Sequence, residues 1–155
     1  GTNSDGAYLI SADNLQQLVH FSKENSPLND NAINNIAINP TTGEVFFATE
    51  NGLCSYQGDA TEPQTGEGRE AYAYPNPVEP GYTGLIRIVN LSPNAYVKIV
   101  SPNGTLVKEG RSNGGMFTWD ATDLRGKRVV SGVYVVLEAT EEGKSGVACK
   151  VAVVN

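Results

Sequence analysis

Between Tyr74 and Val136 the chain runs through short alternating apolar and polar stretches, each closed by glycine, proline, asparagine or aspartate. Side chains that alternate in this way suit a strand buried on one face. The segment opens Tyr74-Pro75-Asn76-Pro77-Val78. Its two prolines have no N–H to give to a ladder, so the incoming chain is expected to stay extended, away from the centre of a sheet. Further on, Trp119 stands directly before the turn Asp120-Ala121-Thr122-Asp123-Leu124-Arg125-Gly126, and a strong strand begins at Val133.

Strands are expected near 85–89, 95–100, 106–109, 116–119, 133–139 and 146–153. Alternation puts Val97 with Ile99, Phe117 with Trp119, and Val147 with Cys149, Val151 and Val153 on faces that point into a two-sheet core. Lys98, Thr118 and Lys150 fall on the opposite, solvent side. Pro102-Asn103-Gly104 has the chemistry of a tight hairpin, and Glu141-Glu142-Gly143-Lys144 that of a polar hairpin tip. The expectation for 72–155 is a six- or seven-stranded immunoglobulin-like β-sandwich.

Upstream, short apolar runs at Tyr8-Leu9-Ile10, Leu18 to Phe21, Ile36-Ala37-Ile38, Val45-Phe46-Phe47 and Leu53 to Tyr56 are separated by turns such as Ala12-Asp13-Asn14 and Thr41-Thr42-Gly43. This is the spacing of an antiparallel meander. Residues 59–71 carry no large apolar side chain and read as a connector. The expected organisation is all-β, with one β-rich region over 1–58, a linker over 59–71 and the sandwich over 72–155.

The 155 residues carry a net charge of −6 and no run of lysine or arginine, which argues against nucleic-acid binding and against attraction to anionic lipid. The apolar runs are far shorter than the roughly 20 residues a membrane helix needs. The opening Gly1 reads as a processed or engineered end. The two cysteines, Cys54 and Cys149, are expected as free, buried thiols in different domains.

Two resemblances build on these residues. The stretch from Ser26-Pro27-Leu28-Asn29-Asp30-Asn31 through Val45-Phe46-Phe47-Ala48-Thr49 to Asn51-Gly52-Leu53 resembles one blade repeat of bacterial sensor-type β-propellers, with Phe46 and Phe47 where that family often has Trp-Phe. The whole of 72–155 resembles the C-terminal sorting domain of type IX secretion, on Ala73 to Val78, Pro102 to Val107, Gly114 to Asp120 and Gly126 to Tyr134. A propeller followed by such a domain is similar to the PorZ-like family of type IX surface components. The resemblance implies a non-enzymatic cell-surface protein, associated with the outer membrane or extracellular, whose sandwich is recognised by translocon or sortase partners of the PorU-like kind. Lipopolysaccharide or a glycan is a further candidate ligand. Ordinary cargo domains often end in several basic residues; Lys150 is the only one here near the terminus, which favours a retained component. The alternatives are the sorting tail of a secreted cargo enzyme and a fragment of an extracellular glycan or nutrient sensor.

Partner binding is expected at Tyr74, Pro75, Asn76, Pro77 and Val78 and at Glu141, Glu142, Gly143 and Lys144, because an open sandwich offers unpaired backbone groups at its edges and tips. No catalytic, cofactor or metal residues are expected. His20, the single histidine, reads as an ordinary strand residue. Asp120 with Asp123, and Asn29-Asp30-Asn31, read as turn caps, calcium ligation being the alternative for the aspartates. Tyr72, Tyr74, Tyr82 and Tyr96 read as a cover for the sandwich edge, or alternatively as an aromatic platform.

Overall fold

The computed structural model describes residues 1–11, 14–62 and 70–155. Ala12 and Asp13 of the expected first turn, and residues 63–69 of the expected connector, lie outside the described residues. The described chain is all-β: every regular element is a strand, and no helix is long and apolar enough to cross a membrane. It divides into two compact units, Gly1–Gly58 and Asp59–Asn155.

In the first unit, β1 (Ala7–Ile10) and β2 (Gln17–Phe21) form an antiparallel two-stranded sheet. The meander proper is a separate three-stranded sheet in the order β3 (Ile33–Ile38), β4 (Glu44–Thr49), β5 (Gly52–Gln57). Phe21 links the two sheets, its ring 5.8 Å from that of Phe47 and 4.9 Å from that of Tyr56. The buried cluster is small: Ala7, Leu28, Ile33 and Phe47.

The second unit contains β6 (Tyr72–Tyr74), β7 (Ile86–Val89), β8 (Tyr96–Val100), β9 (Leu106–Arg111), β10 (Phe117–Trp119), β11 (Gly132–Ala139) and β12 (Ser145–Val153). They pair as a three-stranded sheet, β10-β7-β6, and a four-stranded sheet, β12-β11-β8-β9. The chain crosses between sheets after β7, β9 and β10, the connectivity of an immunoglobulin-like sandwich. Between the sheets Ile86, Ile88, Val97, Ile99, Trp119 and Val136 are completely buried, so the expected pairs Val97/Ile99 and Phe117/Trp119 do share core-facing sides, with Phe117 only partly covered. Trp119 and Tyr134 meet at 5.2 Å between ring centroids.

Both polar tips of this ring pair are satisfied locally. The Trp119 Nε1–H donates to the Thr122 carbonyl at 2.9 Å, and the Tyr134 hydroxyl donates back to the Val130 carbonyl at 2.7 Å. The second bond is a tyrosine corner, which pins the chain where it enters a central strand.

Val147 departs from expectation. It is 61% exposed, whereas Val151 and Val153 are buried. The β11–β12 register runs Val136 to Cys149 and then Leu137 to Val147, so Ala148 is an extra, unpaired residue. That bulge breaks the two-residue alternation and sends Val147 to the outer face. Lys150 is exposed as expected, whereas Lys98 and Thr118 are half-buried.

Segment 59–62 packs with the second unit. Thr61 bridges Gly114 in parallel, and Asp59 accepts a bond from the Asn113 side-chain amide at 3.3 Å. A Cβ on Gly114 would lie 2.0 Å from the Thr61 carbonyl oxygen, so this backbone approach requires glycine.

Candidate interaction site

The segment beginning at Tyr74 passes from one sheet to the other. Tyr72 to Tyr74 pair with Val89 to Arg87 at the edge of the three-stranded sheet. Four residues later Val78 bridges Val153 in parallel at the edge of the four-stranded sheet, its N–H donating to Ala152 at 2.8 Å and its carbonyl accepting from Val154 at 2.9 Å. Both intervening X–Pro bonds, Tyr74–Pro75 and Asn76–Pro77, are cis. Between them the Asn76 side chain takes the place of a strand backbone: Oδ1 accepts from the Ala152 N–H at 2.9 Å and Nδ2 donates to the Lys150 carbonyl at 3.0 Å. An amide presents one donor and one acceptor as a peptide unit does, a role the sequence pattern did not disclose.

The expected partner-binding residues therefore differ in availability. Val78 is fully buried in the core. Tyr74 is half-buried and burial pushes its phenol pKa up, while Asn76 and Pro77 are exposed. Glu141, Glu142, Gly143 and Lys144 are all exposed at the tip joining β11 to β12. Gly143 adopts φ 84°, and Thr140 closes the tip by donating to the Lys144 carbonyl at 2.8 Å and accepting from Gly143 at 3.0 Å. Glu141 faces Arg111 at 3.8 Å and accepts from Asn94. This ties the tip to the four-stranded sheet rather than leaving it loose.

Of the four tyrosines considered together, only Tyr72 and Tyr74 are neighbours, with ring centroids 6.1 Å apart. Tyr82 packs on the core, and Tyr96 lies under the Lys98 ammonium at 5.3 Å. A single platform is not formed.

The aspartate turn is built by its carboxylates. Asp120 accepts from the Thr122 hydroxyl at 2.6 Å and the Thr122 N–H at 3.2 Å, with Lys108 at 3.8 Å. Partial burial opposes its ionisation, but those bonds outweigh it and hold its carboxyl below the ordinary value. Asp123 accepts from the N–H groups of Lys127 and Arg125, both at 2.9 Å, and these lower its pKa.

In the first unit, Asn29 accepts from the Thr49 hydroxyl at 2.6 Å and donates to the Asn51 carbonyl at 2.9 Å. Asp30 receives the Ala32 N–H at 2.9 Å and the Asn51 side chain. The Asn-Asp loop and the Thr49–Gly52 turn, separated by two strands, thus form one latch, which explains why the two signatures occur together. His20 lies on β2, as expected of a strand residue, opposite Tyr8, on whose ring it stacks at 4.3 Å, and its Nε2 lies 2.6 Å from the Asp5 carbonyl oxygen. Cys54 and Cys149 are free and partly buried, and burial pushes the Cys149 thiol up to about 11.

These features define an all-β protein in which a blade-like unit precedes an immunoglobulin-like sandwich. Among solved structures the chain is similar to PorZ of the human oral bacterium Porphyromonas gingivalis, an essential bacterial surface component of the type IX secretion system, with 33% identity and a TM-score of 0.61. That similarity covers 99% of this chain and 20% of PorZ, so the chain spans about one fifth of the protein it matches. No protein-family model matches the sequence, and no curated protein does.

Proposed function

We propose that this chain belongs to a non-enzymatic, PorZ-like surface component of type IX secretion. The first unit would be the last part of a sensor-type propeller, and the second a retained sorting-type domain recognised by translocon or PorU-like sortase partners. The observation that carries this reading is the breadth of the similarity: at 33% identity it runs through both units, not through the sandwich alone. A sorting tail of secreted cargo would be expected to share only the sandwich with a surface component. Within the sandwich, the exposed part of the Tyr74 to Pro77 crossover and the Glu141 to Lys144 tip are the proposed contacts, the crossover lying along the C-terminal part of the edge strand β12 and the tip leading into its start.

The test is to recover the full-length protein from the surface of its native cells and map its peptides by mass spectrometry. Peptides from 72–155 still joined to upstream sequence are expected; a new terminus between Asp59 and Tyr72 would identify cargo and overturn the proposal.

A further inference from the structure

The sequence contains three Asn-Gly pairs, Asn51-Gly52, Asn103-Gly104 and Asn113-Gly114. Glycine carries no Cβ, so its backbone nitrogen can approach the side-chain carbonyl carbon of the asparagine before it. Attack there requires that nitrogen to be free of other bonds and the asparagine amide to turn onto it. The structure separates the three pairs on this criterion. The Gly104 N–H donates to the Ser101 carbonyl at 2.9 Å, and Asn103 Oδ1 accepts from the Ser101 hydroxyl and the Thr105 N–H. Gly52 stands in the β4–β5 ladder opposite Thr49, and the Asn51 side chain donates to the Asp30 carboxylate. The Gly114 N–H, by contrast, has no hydrogen-bond partner among the described residues. Asn113 is exposed, and among those residues its side chain makes one bond, the long one of 3.3 Å to Asp59.

Asn113 also stands where a change of charge or of backbone length is felt. Its turn is anchored on both sides. The Ser112 N–H donates to the Ala95 carbonyl at 2.9 Å and the Ser112 hydroxyl accepts the Ala95 N–H at 2.8 Å, while the Gly115 carbonyl accepts from Leu91 at 2.9 Å. The same turn holds the chain that enters the sandwich: Gly115 donates to the Thr61 carbonyl at 2.9 Å, and the Asn113 amide donates to Asp59. The approach leaves no spare room, since a Cβ on Gly114 would lie 2.0 Å from the Thr61 carbonyl oxygen. The Thr61 hydroxyl is buried without a hydrogen-bond partner, a cost that weakens the attachment.

We propose that Asn113 deamidates spontaneously and that its conversion releases segment 59–61 from the sandwich. The Gly114 nitrogen, losing its proton to water, bonds to Cγ of Asn113; the Cγ–Nδ2 bond breaks and ammonia leaves, closing a cyclic imide. Water then opens that ring at either carbonyl, giving aspartate or isoaspartate with no change of oxidation state. Aspartate replaces the donor to Asp59 with a second carboxylate, so attraction becomes repulsion. Isoaspartate lengthens the backbone by one carbon between Asn113 and Gly114. With the turn anchored at Ser112 and by Leu91, that carbon displaces Gly114 and Gly115 against Thr61. The reaction needs only water, so it holds whether or not the chain belongs to a surface component, and it runs one way.

The experiment ages the full-length protein in warm, mildly alkaline buffer and follows it by peptide mapping that separates asparagine, aspartate and isoaspartate. Each sample is also treated briefly with elastase, which takes the bond after Ala60. A hydrogen bond that must break before attack slows the step roughly fivefold, so Asn113 is expected to convert at least about fivefold faster than Asn51 or Asn103. Cutting after Ala60 should accelerate in step with that conversion, by about fivefold for each bond lost between 59–61 and the turn. An Asn113→Asp variant should be cut at the fast rate from the start. Asn113→Gln, whose longer side chain closes the ring poorly, should keep the slow rate throughout ageing. The aged parent protein was folded before it changed, so its cutting rate decides the matter even if the Asn113→Asp variant folds badly. Conversion at Asn51 or Asn103 that is as fast as at Asn113, or faster, would overturn the assignment of the site. Conversion of Asn113 with unchanged cutting after Ala60 would overturn the release.

Discussion

Among the described residues, the sandwich gathers fifteen buried hydrophobic residues into one cluster, whereas the first unit gathers four. Each unit nevertheless exposes large apolar side chains, and in the first unit Leu9, Ile10, Leu15, Leu18, Ile38 and Leu53 are all about half exposed or more. The sandwich satisfies its own burial by facing two sheets. The blade-like unit has two sheets of two and three strands with little between them. What the difference teaches is where each unit draws its stability: the sandwich from an internal core, the blade-like unit from hydrogen-bonded loops and, if it is a repeat, from neighbours.

Each unit carries one free cysteine, so thiol labelling during denaturation reads them separately. Cys149 is held protonated by burial, with a pKa of about 11, and reacts slowly until the sandwich opens. In the intact chain, Cys54 is expected to become reactive at lower urea than Cys149. The most damaging substitution is Trp119→Ala, which empties the middle of the sandwich core. Loss of a buried tryptophan costs about 3–5 kcal/mol. The Cys149 midpoint should fall below that of Cys54, inverting the order; an unchanged order would mean that the core does not govern the sandwich.

The converse change is Asn29→Ala. It removes the acceptor for Thr49 and the donor to Asn51, and lost bonds of this kind cost about 1–2 kcal/mol in total. The Cys54 midpoint should drop while that of Cys149 stays fixed, because the change lies in the other unit. A matching shift in both would show that the units unfold together. Tyr134→Phe is a milder probe of the sandwich. It keeps the ring against Trp119 and deletes only the bond to Val130, for an expected loss of about 1 kcal/mol at the Cys149 transition.

The strand runs and the inward faces of β8 and β10 were legible because two-residue alternation over a buried face leaves one register. Val147 was not, because a bulge changes parity at Ala148, and Gly146, inside the same strand, does not by itself say which residue is the extra one. Asn76 was read as part of a partner-binding segment, and its actual work, holding the β12 backbone at Lys150 and Ala152, depends on a strand 74 residues away. The tyrosine corner was hidden for a similar reason: Tyr134 alternates like any core residue, and only its hydroxyl, turned back to Val130, distinguishes it. His20 shows the limit of composition, since a lone histidine in an apolar run gave no sign of the stack on Tyr8, its partner in the β1–β2 ladder, or of the Asp5 carbonyl just before β1.

The smallest effect separates charge from geometry in the aspartate turn. The N–H groups of Lys127 and Arg125 favour the ionised Asp123, so its folded pKa is depressed. A depressed carboxylate contributes stability that is fully present above its unfolded pKa of about 3.9 and is lost as pH falls through the lower folded value. Asp123→Asn keeps an oxygen that can accept the same two N–H bonds and removes the charge. By circular dichroism in urea, the variant should be slightly less stable than the parent at pH 7, and the two should converge as the pH is lowered below the ordinary carboxylate range. A gap that persists at low pH would assign the effect to altered turn geometry instead. The Cys54 transition of the first unit should be the same in variant and parent at each pH, because Asp123 lies in the other unit.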